Sequence, residues 1–386
     1  MTTALSVILA RSLNASDFGV FSAFLGLSQA LSLTIDVGLA TWLLRELSDL
    51  WISHPEDLAA AKASALLRGA LSVNMRLGAA VAIATGIVGA VAGLSPALVA
   101  LSVGLMAYVG LIAMATAMEA GLRARRRLRR VVASNLAEKL VLIGAIAGTV
   151  ILGWGLIGIG VAYPLAGCVR VILDYVFALR GSPAKSGSRS PAFAALVRAA
   201  APFALNSAAF SLVPRLDLPL VALVSTRSAA YFALGWQVYS TVTLLPVIGG
   251  STLYPFLARH SKTISVQRIA LGFGLVGLAI SVVSVAIIPA VLPAVFGAQY
   301  ASAVTVTQIM VAAMPLTFYA NALMVAAYTA GREHALLRLT LPASLLGSAA
   351  VLVGAIAKGT MGAAIGFDLR LVFLTCSLLA LTQRPA

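Results

Sequence analysis

Charge is scarce in this sequence. Asp, Glu, Lys and Arg make up 10% of its 386 residues, where a soluble domain carries about a quarter. Acid is the scarcer sign: 12 Asp and Glu stand against 27 Lys and Arg, a formal net charge of +15. Histidine is scarcer still. His54, His260 and His334 stand in separate polar segments with no ligand pattern around them, so no metal site is expected. The two cysteines, Cys168 and Cys376, fall inside apolar runs and read as buried free thiols. No basic stretch precedes the first apolar run, so no secretory leader is expected. No loop offers a Ser/His/Asp arrangement. The glycine-rich match at Gly153, Gly155 and Gly158 sits at a short turn between apolar runs, not after a Rossmann strand. An enzyme and a nucleic-acid binder are both disfavoured, and no cofactor is implied. The basic residues lie between apolar runs, which is a topology signal.

What is abundant is apolar length. Hydrophobic residues make up 61% of the chain and mean hydropathy is +1.01. The expected fold is all-α: a polytopic membrane protein with about twelve transmembrane helices in two six-helix lobes. Residues 1–10 supply only half a span, and a misplaced start or a truncated chain is expected to account for it. A second span covers 18–44, and 48–68 reads as a soluble stretch ending in an interfacial helix. Further spans are expected near 69–92, 97–117, 131–153, 155–178, 199–224, 229–258, 269–290, 301–327, 339–357 and 361–381. The Gly/Ser/Pro-rich segment opening at Gly181 is the linker. The expected domains are therefore an N-terminal lobe 1–180, a linker 181–198 and a C-terminal lobe 199–386. Six spans on each side of a linker is the layout of a repeat-built transporter.

Alternate loops carry unequal charge. One set holds nineteen Lys and Arg, the other only Arg11, Arg227 and Lys358, and five lie within spans. This positive-inside bias places the linker and both termini in the cytoplasm. The densest cluster is Arg123, Arg125, Arg126, Arg127, Arg129 and Arg130. It reads either as an anchor on anionic headgroups or as a mouth that captures an anionic substrate.

Charges inside spans are costly, by about 2.5 kcal/mol or more at the centre. Arg215 and Asp217 break the apolar run 202–224, beside Pro202 and Pro214. They stand two apart, so they do not face each other on a helix. Either they pair with other helices, Asp368 and Arg370 being candidates, or they line a cavity. Arg76, two turns inside its span, and Arg45 are candidate linings toward the inner mouth. Asp217 and Asp368 are candidate proton or sodium sites. Glu119 with Arg123, and Arg170 with Asp174, are i, i+4 pairs and read as structural. Glu138 and Lys139 read as interfacial. Gln237, Gln308, Tyr319 and Asn321 suit helix–helix hydrogen bonds or sugar contacts.

Several motifs occur in a telling order. Ala10-Arg11-Ser12-Leu13 precedes Asp17-Phe18-Gly19-Val20-Phe21, and Asp36-Val37-Gly38-Leu39 precedes Arg45-Glu46. Later come Arg215-x-Asp217 with Ala230-Tyr231-Phe232-Ala233, Tyr254-Pro255-Phe256, Phe296-Gly297-x-x-Tyr300-x-x-Ala303, and Gly359-x-x-Gly362-Ala363-Ala364. In order and spacing they resemble the polysaccharide flippases, the Wzx-like branch of the multidrug/oligosaccharidyl-lipid/polysaccharide (MOP) exporter superfamily. Ala230 stands where the family repeats a glycine. The resemblance implies two six-helix lobes with a MATE/MOP-like fold around a cavity that opens alternately to each side of the bacterial inner membrane. It implies an undecaprenyl-diphosphate-linked oligosaccharide as substrate, membrane lipid as a partner, and contact with polysaccharide assembly proteins. A basic path through hydrocarbon would suit a diphosphate. The competing expectations are a cation-coupled drug antiporter of the same superfamily and, less well supported, a polytopic polymerase or ligase. The antiporter wants an acidic first lobe, and mid-span acids are few.

Overall fold

The computed structural model describes residues 3–36, 38–179, 193–200, 215–249, 265–330 and 332–383. Among these residues it contains helices and no strand. The chain is an all-helical, polytopic membrane protein. The helices are α1 (Thr3–Ser12), α2 (Ala15–Asp36), α3 (Leu39–Ser53), α4 (Glu56–Val91), α5 (Pro96–Ala124), α6 (Leu128–Ile151) and α7 (Gly155–Leu179). After them come α8 (Asp217–Val224), α9 (Thr226–Val242), α10 (Val266–Phe296), α11 (Ala303–Ala312), α12 (Met314–Thr329) and α13 (Glu333–Gln383). Eight described helical segments are long and apolar enough to cross a bilayer.

One of the eight makes two passes. Within α13 the backbone leaves helical geometry at Lys358 and Gly359, where Gly359 has φ 59°. The two arms then fold back on each other. A Cβ on Gly354 would run into the carbonyl of Gly362, one on Gly366 into the backbone of Ala350, and one on Gly347 into the Arg370 side chain. These pairs are symmetric about Lys358, as a helical hairpin requires. Close approach at small residues is how helices associate where lipid removes the hydrophobic drive. Gly78 of α4 and Gly110 of α5 meet in the same way.

Two sequence expectations need correction. Residues 48–68 are not a separate polar stretch but parts of two long helices. α3 runs to Ser53, α4 starts at Glu56, and α4 continues without a break for 36 residues, about 54 Å of helix. Leu47, Ala63 and Leu67 are buried with Ala117, Met118 and Leu122. Residues 193–198, expected within the linker, are helical, with Leu196 and Ala200 packed on Leu39 and Val73. The rest of the linker, the run 202–214 and the Tyr254-Pro255-Phe256 motif lie outside the described residues. The cysteines are a third correction: Cys168 and Cys376 are exposed. Within a span, an apolar residue can face lipid as comfortably as core.

The chain forms two compact units. Unit 1 is Met1–Leu5 with Leu27–Ala208, and unit 2 is Ser6–Gly26 with Ala209–Ala386. The N-terminal segment joins unit 2 for identifiable reasons. Arg11 donates to the carbonyls of Val295 (2.8 Å) and Ala294 (2.5 Å) at the end of α10, where a cation meets the helix dipole. Gln299 donates to Ala10 at 2.9 Å, and Phe18 sits edge-on to Tyr300 at 5.9 Å. A Cβ on Gly19 would strike the carbonyl of Thr226. Motifs separated by more than two hundred residues thus build one knot.

Candidate functional site

In unit 1 the site begins with three carboxylates buried between helices. Glu119 lies in the last two turns of α5, Glu138 midway along α6 and Asp174 near the end of α7. The buried face of α6 runs Val131, Ser134, Glu138, Leu142, Ile146, Thr149, so Glu138 shares by helical period the face that packing turns inward. Arg170 stands among them. It donates through Nη2 to Glu119 at 2.7 Å and through Nη1 to Glu138 at 3.0 Å, and its Nε lies 3.6 Å from Asp174. Glu138 also accepts from Tyr108 Oη at 2.6 Å and Lys139 Nζ at 2.8 Å. Arg123 pairs with Glu119 one turn away. Three cations match three carboxylates, the condition under which buried charge is tolerated.

The exposures divide these charges by sign. Glu119 and Glu138 expose 7% and 0% of their side chains and Arg170 exposes 8%, but Arg123 exposes 53% and Lys139 34%. The acids are the buried members and the reachable ends are cationic. Glu119, Arg123, Lys139 and Arg170 border a cleft of about 770 Å³ between α3, α5, α6 and α7, whose walls include Thr41, Thr116, Asn135 and Leu136. That volume suits a small molecule or the headgroup of a larger one. Glu138 is thus wholly buried between helices, while Lys139 beside it is partly exposed.

At the end of the cleft the arginine run turns from α5 into α6. Arg125 stacks over Trp51 at 4.6 Å and donates to the carbonyl of Ala178 at 3.4 Å, while Arg130 reaches that of Phe177 at 3.3 Å. Both cap the end of α7. Partial burial and then the neighbouring Arg127 and Arg130 hold the Arg125 guanidinium below the ordinary arginine range.

Unit 2 holds a second, simpler charge site. Asp217, the first residue of α8 and 2% exposed, pairs with Arg370 on the returning arm of α13 and accepts from Ser348 Oγ at 2.7 Å. Of the partners named from sequence, Arg370 is the one that pairs. Asp368, two residues earlier, leaves its buried Oδ1 without a hydrogen bond. Beside it Phe367 meets Tyr239 edge-on at 4.8 Å, and Tyr239 stacks on Trp236. Arg215 is half-buried just ahead of α8, whereas Arg45 on α3 and Arg76 on α4 are exposed in unit 1. Gln237 meets Ser6 at 3.4 Å and Gln308 donates to Val285 at 3.0 Å, so both serve helix–helix contacts. Among the described residues no His/Cys/Asp/Glu group could hold a metal ion.

This arrangement of helices is the fold of the MOP-superfamily transporters. No family model matches the chain, and no curated protein matches it by sequence. Solved structures do match. An inward-facing multidrug-resistance MATE family transporter of the MOP superfamily superposes with TM-score 0.81 and 15% identity, over 99% of this chain and 95% of that one. The lipid II flippase MurJ, in an inward closed conformation, gives 0.73 and 10%, over 98% and 86%. A MOP-superfamily transporter from Pyrococcus furiosus, described as having a binding pocket of reversed polarity, gives 0.60 and 14%, over 98% and 89%. At these identities the likeness is one of fold.

Proposed function

We propose that this chain is a transporter that moves a polyprenyl-diphosphate-linked oligosaccharide across the bacterial cytoplasmic membrane by alternating access, for surface polysaccharide synthesis. The observation that carries this reading is the polarity of the unit 1 cleft. Its carboxylates are sealed by Arg170, and its reachable ends are Arg123 and Lys139. Such a surface attracts a diphosphate and repels an organic cation. Arg45, Arg76 and Arg215 are further candidate phosphate contacts. Coupling to H⁺ or Na⁺ falls to Asp368 before Asp217, because Asp217 is already matched by Arg370 and Ser348. The linker and C-terminus are placed in the cytoplasm by the charge bias, and polysaccharide assembly proteins are candidate partners. No chemistry on the substrate is needed.

A second reading, a cation-coupled drug antiporter, is favoured by one observation: unit 1 holds three buried carboxylates. It requires Arg123 or Lys139 to swing aside and uncover an acid. Deleting the gene and extracting lipids separates the two. Under the flippase reading surface glycan disappears, lipid-linked repeat units accumulate, and the intact gene restores both. Unchanged glycan with a new sensitivity to cationic drugs would replace it with the antiporter.

A further inference from the structure

The arginine run leads into a feature that neither charge network uses. Arg126, Arg127 and Arg129 are exposed and have no carboxylate within ion-pair distance among the described residues. Three like charges at one turn with no counter-charge in reach set up a local positive field that draws anions. Leu128 stands among them, 59% exposed, and opens a stripe along α6 with Val132 (64%), Leu136 (58%) and Leu140 (61%). Successive members are four residues apart, so they share one face. Twelve residues of helix span about 18 Å, close to one leaflet of a ~30 Å hydrocarbon core. Val132 and Leu136 also line the cleft, so the stripe borders a groove. A cationic head end and a leaflet-long apolar tail end, on one helix, describe the complement of an amphiphile.

We infer that α6 is the seat of one anionic phospholipid of the bilayer, its phosphate held by Arg126, Arg127 and Arg129 and an acyl chain lying along Leu128, Val132, Leu136 and Leu140. An acidic protein or a nucleic acid would match the arginines and leave the apolar stripe unexplained. Each arginine near an anionic lipid surface adds about 1 kcal/mol of attraction. The site is read by lipid retention, so its success or failure is independent of what the chain transports.

Native mass spectrometry of the detergent-purified full chain tests it, with phosphatidylglycerol and phosphatidylcholine of identical acyl chains offered in equal amounts. The expected result is preferential retention of phosphatidylglycerol. Arg126→Gln/Arg127→Gln/Arg129→Gln should cut that preference at least about tenfold and leave the melting temperature without added lipid unchanged, since these side chains hold no folded contact. Leu136→Ser/Leu140→Ser should weaken both lipids and leave their ratio unaltered. If the triple variant does not fold, Arg129→Gln alone should still lower the ratio. Equal retention of the two lipids overturns the inference, as does a preference that survives the arginine substitutions. Displacement by equimolar undecaprenyl diphosphate would also overturn it, by giving the seat to another molecule.

Discussion

Arg170 and Arg370 are both arginines buried in helical bundles, yet they do different things. Arg370 closes one pair with Asp217 and seals it from solvent. Arg170 is shared by Glu119 and Glu138 and approaches Asp174, in a network whose outer cations open on a cleft. A closed pair resembles a structural staple. Of the three carboxylates, Glu119 has Arg123 and Glu138 has Lys139 and Tyr108 as further partners, whereas Asp174 has, among the described residues, its ion pair with Arg170 alone. The difference is one of access: the Asp217 pair is closed off by packing, while the unit 1 network reaches a cleft through Arg123 and Lys139.

Substitutions can break that contrast, and the largest effect belongs to Arg170. Arg170→Leu strands buried carboxylates on three helices and should cost about 3–5 kcal/mol, read as thermal unfolding in detergent and as loss of protein from membranes. No single second substitution should restore it. Arg370→Leu should cost less, about 3 kcal/mol, because Ser348 still donates to Asp217. Here Arg370→Leu/Asp217→Leu should recover most of the loss. If both arginine variants behave alike, the distinction between network and staple fails. Gly354→Val drives a side chain into the opposing arm of α13 and should cost about 1–3 kcal/mol, measured in the same melts.

The smaller effects bear on function. Lys139→Gln leaves Glu138 with Arg170 and Tyr108, so folding should hold while lipid-linked repeat units accumulate. Normal export with normal protein levels would remove Lys139 from the site. Asp368→Asn should not lower stability, because it removes a carboxylate whose buried Oδ1 has no hydrogen bond, and it should abolish any dependence of transport on a proton or sodium gradient.

Some of this site was legible in the residues. Glu119–Arg123 and Arg170–Asp174 sit one helical turn apart, and the structure places both within ion-pair distance. Asp217 needed a partner, and Arg370 was one of two named. The burial of Glu138 was not legible: helical period puts it on one face with Leu142 and Ile146, but only packing turns that face inward. The Arg170 network as a whole was not legible. It joins α5, α6 and α7, and nothing local says which arginine meets which acid. The join of Arg11 with Val295, and of Gly19 with Thr226, was hidden for the same reason: the motifs were visible but their meeting was not.

Hydrophobic length and loop charge settled that this chain is helical and spans a membrane repeatedly, because those properties are written within twenty residues or so. Which face of each helix turns inward was left open, since lipid and protein core are both apolar and a span need not be amphipathic. Packing decided that. It buried Glu138 and Asp174, exposed Cys168 and Cys376, folded α13 back at Gly359, and put cations rather than acids at the open side of the cleft.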